Sequence, residues 1–75
     1  MYGNAIPLRL KQIKLFEYLG FAYNINTMPP ERIAALMKDE HLVIMCYSKG
    51  RNGINGLVYK SEKTNKLYIQ YGYTI

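Results

Sequence analysis

Leu42-Val43-Ile44-Met45-Cys46-Tyr47, then Ser48-Lys49-Gly50-Arg51-Asn52-Gly53-Ile54-Asn55-Gly56, then Leu57-Val58-Tyr59-Lys60 is the stretch that decides the architecture. Residues 42–47 form an unbroken apolar run of strand length, which predicts a strand covered on both faces or central in a sheet. Residues 48–56 hold two Asn-Gly pairs and one Lys-Gly, the chemistry of a turn between strands. Leu57–Lys60 is then a second strand, and Lys63-Thr64-Asn65-Lys66 a tight hairpin turn. From Leu67 the chain alternates, with Leu67, Ile69, Tyr71, Tyr73 and Ile75 on one face and Tyr68, Gln70, Gly72 and Thr74 on the other. The expected sheet has three antiparallel strands, at about residues 42–48, 56–62 and 66–74.

Working back from the sheet, two helices are expected. Leu8, Ile13, Leu15, Phe16 and Leu19 fall on one broad helical arc, with Lys11, Lys14 and Tyr18 opposite. Pro7 opens this element and Gly20 stands where a glycine would close it, giving a helix over about 8–19. Leu8-Arg9-Leu10-Lys11 also alternates with period two, so its first turn is helical or extended. Phe21–Met28 is a connector with turn-forming Asn24 and Asn26. Pro29 and Pro30 belong at a helix start, Glu31 suits the positive end of its dipole, and Ile33, Leu36 and Met37 share a face. This second helix covers about 30–40. Helices followed by strands define an α+β fold, the helices on one side of an antiparallel sheet.

The 75 residues make a single domain, 1–75, with a thin core. Cys46 is the sole cysteine, so no internal disulfide staples it, and one Cys with one His cannot complete a tetrahedral zinc site. No metal and no cofactor is expected. No apolar stretch reaches bilayer length and residues 1–6 carry no basic signal-peptide region, so a cytoplasmic protein without membrane contact is expected.

The net charge of +5 is uneven. Arg9, Lys11 and Lys14 against Glu17 give +2 over residues 1–30. Arg32 and Lys38 against Glu31, Asp39 and Glu40 give −1 over 31–40. Lys49, Arg51, Lys60, Lys63 and Lys66 against Glu62 give +4 over 41–75. A basic excess draws polyanions and also keeps a protein in solution. Eight tyrosines, against two phenylalanines and no tryptophan, suit half-buried sheet faces and contact surfaces.

Catalytic constellations do not assemble. If His41 and Cys46 share a strand, a separation of five places them on opposite faces, so Cys46 is expected in the core and His41 at a helix end. Asp39 and Glu40 are adjacent on a helix and diverge, as solvated charges do. Lys49-Gly50-Arg51-Asn52-Gly53 is basic and glycine-rich but lacks the P-loop spacing. As a hairpin tip it is the foremost candidate contact element.

Gly56-Leu57-Val58-Tyr59 followed by Leu67-Tyr68-Ile69 resembles the paired strands that open GIY-YIG nuclease domains. Those domains carry Arg and Glu on helices after the strands, whereas this sequence stops at Ile75, so no nuclease activity is expected. Two small helices before a hairpin also resemble a winged-helix domain, with residues 49–56 as the wing. The second helix is acidic at both ends, so the hairpins and the Lys11/Lys14 face would meet nucleic acid instead.

The expectation from sequence is therefore a non-enzymatic protein that binds nucleic acid. Lys49, Arg51, Lys60, Lys63, Lys66, Lys11 and Lys14 would neutralise phosphates, and Tyr68 and Gln70 would meet bases. The alternative is a protein-interaction module, such as a phage or viral effector that blocks a host protein through its Tyr-rich sheet. The last strand has no charge or proline after Lys66, so a homodimer through Tyr71, Tyr73 and Ile75 is expected at its open edge.

Overall fold

The computed structural model describes residues 4–72. The class is α+β, but the sheet is larger than expected: five strands of mixed direction in the order β1-β3-β4-β5-β2. In chain order the elements are β1 (Ile6–Pro7), α1 (Leu10–Tyr18), β2 (Ala22–Asn24), α2 (Pro30–Asp39), β3 (Leu42–Gly50), β4 (Gly53–Ser61) and β5 (Leu67–Tyr71). The central β3-β4-β5 meander is antiparallel, as the turn chemistry dictated. Two short strands from the N-terminal half add to it in parallel, β1 beside β3 and β2 beside β5.

These additions follow from the helix boundaries. Pro7 pairs opposite Tyr47, and the Leu8 N–H donates to the Tyr47 carbonyl at 2.7 Å, so the start of the expected helix is extended. Arg9 is the N-cap, with its N–H on the Gln12 side-chain oxygen at 2.9 Å. Gly20 (φ 80) ends α1: its N–H reaches the Glu17 carbonyl, and the Phe21 N–H reaches that of Phe16. That paired bond pattern turns the chain sharply enough for Ala22 to enter the sheet. Pro29 caps α2 with Pro30 at its first position, as expected.

The helices do not share a side of the sheet. Ile13 and Phe16 of α1 pack with Cys46, Val58 and Ile69. Ile33, Leu36 and Met37 of α2 pack with Tyr59 and Tyr68. Val58 and Tyr59 are neighbours on β4, as are Tyr68 and Ile69 on β5, and neighbours on a strand point to opposite faces. The molecule is therefore three layers deep, helix on sheet on helix. The expected one-sided arrangement fails because β1-α1-β2 crosses the sheet on one face and β2-α2-β3 returns on the other. Two crossovers in opposite directions over opposite faces share one hand, the consistency that parallel connections obey.

Two bulges tune the β3–β4 pair. Ile44 pairs with Tyr59 and Cys46 with Val58, leaving Met45 as an extra residue. The extra residue switches the facing of the strand, so Leu42 and Ile44 serve the α2 core while Cys46 serves the α1 core. The second bulge is at Asn55, between the Ser48–Gly56 and Lys49–Ile54 pairs. It carries both strands on to Gly50 and Gly53, so the long loop expected over 48–56 shrinks to Arg51 and Asn52.

β5 is not an edge. β2 pairs with Leu67–Ile69, and the Asn26 side chain continues the pairing. Its Oδ1 accepts the Tyr71 N–H at 2.7 Å and its Nδ2 donates to the Tyr71 carbonyl at 3.1 Å. The open edge expected to carry a homodimer is thus occupied within the chain. Tyr71 also gives its hydroxyl to Glu17 at 2.7 Å, and Tyr73 and Ile75 lie outside the described residues.

Candidate nucleic-acid interface

β3 runs to one end of the sheet and β4 returns, so the two hairpin turns lie at opposite ends. β4 has nine residues, which at about 3.3 Å per residue separates the turns by roughly 26 Å. Lys49 and Arg51 therefore stand at one end and Lys63 and Lys66 at the other. The basic hairpins expected to act together do not form one patch.

What joins Lys49 and Arg51 is α1. The Leu8–Tyr47 hydrogen bond fixes the helix start over the tip end of β3 and β4. Gly56 permits the approach: a Cβ there would lie 3.1 Å from Leu10 Cδ1 and 3.5 Å from Ile13 Cγ2. Arg9, at the helix start, thus comes to the Lys49 end, and Lys11 and Lys14 follow it on the first two turns. An open cleft of about 740 Å³ lies between the helix start and the sheet. Its polar lining is Arg9, Gln12, Ser48, Lys49 and Asn55, with no carboxylate, and Pro7, Leu8 and Leu10 wall it. A second cleft, of about 560 Å³, flanks the same helix and includes Lys14, Glu17, Asn55 and Tyr71. Lys14 Nζ stands 5.9 Å from the Tyr71 ring centre there. Burial, and then the Glu17 carboxylate that accepts its hydroxyl, push the Tyr71 pKa up, so the phenol stays a donor.

The remaining expected contacts are placed elsewhere. Lys60 is half-buried in β4 and pairs with Leu67. Lys66 Nζ stands 5.9 Å from the Tyr23 ring centre. Tyr68 is buried in the α2 core with its hydroxyl on Glu40 at 3.2 Å, so it cannot stack on a base. Gln70 is half-buried, accepts the Tyr59 hydroxyl at 2.9 Å and lines a cleft beside α2. The helices on opposite faces also exclude a helix-turn-helix.

Glu40 is a hydrogen-bonded charge at the solvent boundary. It caps α2, and its carboxylate accepts the Tyr68 and Thr64 hydroxyls, each at 3.2 Å. The Ser61, Tyr68 and Thr64 hydroxyls, with help from the Lys66 charge, hold its pKa below the ordinary value. Cys46 is buried, and burial pushes its thiol pKa up. His41 is exposed in left-handed backbone (φ 52) between α2 and β3. Among the described residues no group of three His, Cys, Asp or Glu side chains is placed to hold a metal ion, and no helix is long and apolar enough to cross a membrane.

Arg9, Gln12, Ser48 and Asn55 were absent from the residues singled out in the sequence. A helix start at Leu10, with Gln12 reaching back to the N-cap, was the signal that could have found Arg9 and Gln12. Nothing local marks Ser48, because its role depends on a helix some 35 residues earlier in the chain. Comparison with family models, with curated proteins and with solved structures gave no match.

Proposed function

We propose that this is a non-enzymatic protein that binds nucleic acid through the end of the sheet where the β3–β4 turn meets the start of α1. The observation that carries the reading is that Arg9 and Lys49 line one cleft without a carboxylate, with Arg51 in the adjoining turn and Lys14 lining the next cleft along the same helix. Such a cluster exchanges condensed counterions for side-chain cations, which is the main source of sequence-independent affinity. The net charge of +5 supports encounter with a polyanion. Lys63 and Lys66, at the far end, are not part of the contact. Amide chemical shifts followed during an oligonucleotide titration test the placement. The expected changes fall on residues 9–14 and 48–53. Changes centred on 62–67 would refute it.

A second reading has its own observation. Ile6 and Met45, 59% and 39% exposed, rim a cleft of about 210 Å³ lined only by apolar residues, among them Leu8, Phe16 and Val58. Beside it, residues 42–45 of β3 have no strand partner on their outer side among the described residues. That combination suits an extended protein segment added to the sheet. Salt separates the readings, since an apolar contact is insensitive to ionic strength and phosphate binding is not.

A further inference from the structure

The two clefts beside α1 adjoin, because Leu10 and Asn55 line both. Their chemistry differs. The first offers Arg9 and Lys49 without a carboxylate. The second gathers an aromatic ring, a carboxylate and an ammonium group: Tyr71, Glu17 and Lys14. Neutralising phosphate needs neither the ring nor the carboxylate.

Tyr71 is held at both ends. Its N–H and carbonyl bond the Asn26 side chain at 2.7 and 3.1 Å, and its hydroxyl donates to Glu17 at 2.7 Å. The next residue extends the restraint, since the Gly72 N–H donates to the Asn55 carbonyl at 2.6 Å. A ring fixed in advance loses little freedom when a flat group packs on it. Tyr59 and Tyr68 are buried in the α2 core, whereas Tyr71 is half-buried and lines an open cleft.

The polar groups of this cleft discriminate between flat ligands. One Glu17 oxygen accepts the Tyr71 hydroxyl, and the carboxylate keeps further lone pairs on both oxygens. It can only accept, and Lys14, with Nζ 5.9 Å from the ring centre, can only donate. Guanine presents two adjacent donors, N1–H and N2–H₂, next to an acceptor, O6. Adenine and cytosine set a ring acceptor beside their single amino group. Thymine and uracil flank their one N–H with two carbonyls, which a carboxylate repels.

We propose that the second cleft seats one unpaired guanine base. It stacks on Tyr71, its N1–H and N2–H₂ donate to Glu17, and its O6 accepts from Lys14. The proposal rests on the nucleic-acid reading for the strand that carries the base. It narrows that reading to single strands, because pairing engages the same edge of guanine. The adjoining cleft, with Arg9 and Lys49, receives the neighbouring phosphate.

The test is fluorescence anisotropy of the full chain with labelled thymidine oligonucleotides, unchanged or carrying one central guanine, adenine or cytosine. The guanine oligonucleotide should bind about tenfold more tightly than the others, the discrimination of one bidentate contact. Glu17→Gln still accepts the Tyr71 hydroxyl but turns a donor to the base, so it should abolish the preference at an unchanged melting temperature. Lys14→Met, at an exposed position, should reduce it. Tyr71→Leu should weaken the guanine oligonucleotide about tenfold, the value of one stacked base. Equal affinity for all four oligonucleotides, a preference undiminished in either Glu17→Gln or Lys14→Met, or full affinity in Tyr71→Leu would overturn the seat and leave the nucleic-acid reading standing. Titration with guanosine monophosphate decides the case in which no oligonucleotide binds. Saturable amide shifts at Lys14, Glu17 and Gly72 would then keep the seat while that reading fails, and their absence would overturn both.

Discussion

Replacing Asn26 by Asp changes one NH₂ into an oxygen at the place where a side chain stands in for a strand. β2 ends at Asn24, the Ile25 N–H still reaches the Ile69 carbonyl at 2.9 Å, and the Asn26 amide then exchanges two hydrogen bonds with the Tyr71 backbone. The Asp side chain can still accept the Tyr71 N–H, but its second oxygen faces the Tyr71 carbonyl. The loss is one hydrogen bond, about 1 kcal/mol, plus an unsatisfied half-buried carbonyl facing a like partial charge, about 1–2 kcal/mol more. A total of about 2–3 kcal/mol lowers the melting temperature by roughly 10–20 °C in a domain of this size. Protonation restores a donor. The repulsion raises the folded-state pKa of the new Asp above its unfolded value. The rescuing contribution is therefore full below the unfolded pKa and is lost as pH rises through the folded pKa. Thermal melts of wild type, Asn26→Asp and Asn26→Ala between pH 3 and pH 7 follow this. The Asp variant should close most of its gap to wild type in acid, whereas the Ala variant should keep its gap. An Asp penalty that is absent at pH 7, or that does not change with pH, would refute the role of the amide in holding β2 to β5.

Three other outcomes are expected. Gly56→Val should cost about 1–3 kcal/mol in denaturant titrations, because its branches enter space held by Leu10 and Ile13, and it should also weaken binding at the α1 end. Cys46→Ala should cost about 1 kcal/mol, and a thiol reagent should label native Cys46 only as slowly as the protein opens, since the thiol is buried with a raised pKa. The depressed pKa of Glu40 contributes stability above its unfolded value and loses it as pH falls through the folded value, so the protection of amides around Thr64 and Tyr68, relative to their intrinsic exchange rates, should fall in acid, and Glu40→Gln should remove that dependence.

The sequence carried the meander and both helices because their signals are local: the turn residues, the alternation from Leu67, the Pro29-Pro30 start and Gly20. It also held a clue to the third layer. An unbroken apolar run over 42–47 wants cover on both faces, which is incompatible with both helices on one side. β1 and β2, of two and three residues, are too short to show a period and exist only because distant strands offer them partners. The Met45 bulge was equally hidden, since an extra apolar residue inside an apolar run leaves no mark. For the site, the turn composition marked Lys49 and Arg51. Their separation from Lys63 and Lys66, and their meeting with Arg9 and Ser48, depend on topology. Tyr68 and Gln70 were placed on the correct strand face, but α2 covers that face.

The most direct test of the central claim is the affinity for single-stranded oligonucleotides as a function of salt, measured for wild type, Lys49→Ala/Arg51→Ala and Lys63→Ala/Lys66→Ala. Wild type should give a linear fall of log K with log salt. The Lys49/Arg51 pair should flatten that slope by up to about 1.4, two phosphates at about 0.7 each, and the Lys63/Lys66 pair should leave it unchanged. Slopes that are equal in all three proteins, or flattened only by the Lys63/Lys66 pair, would contradict the account.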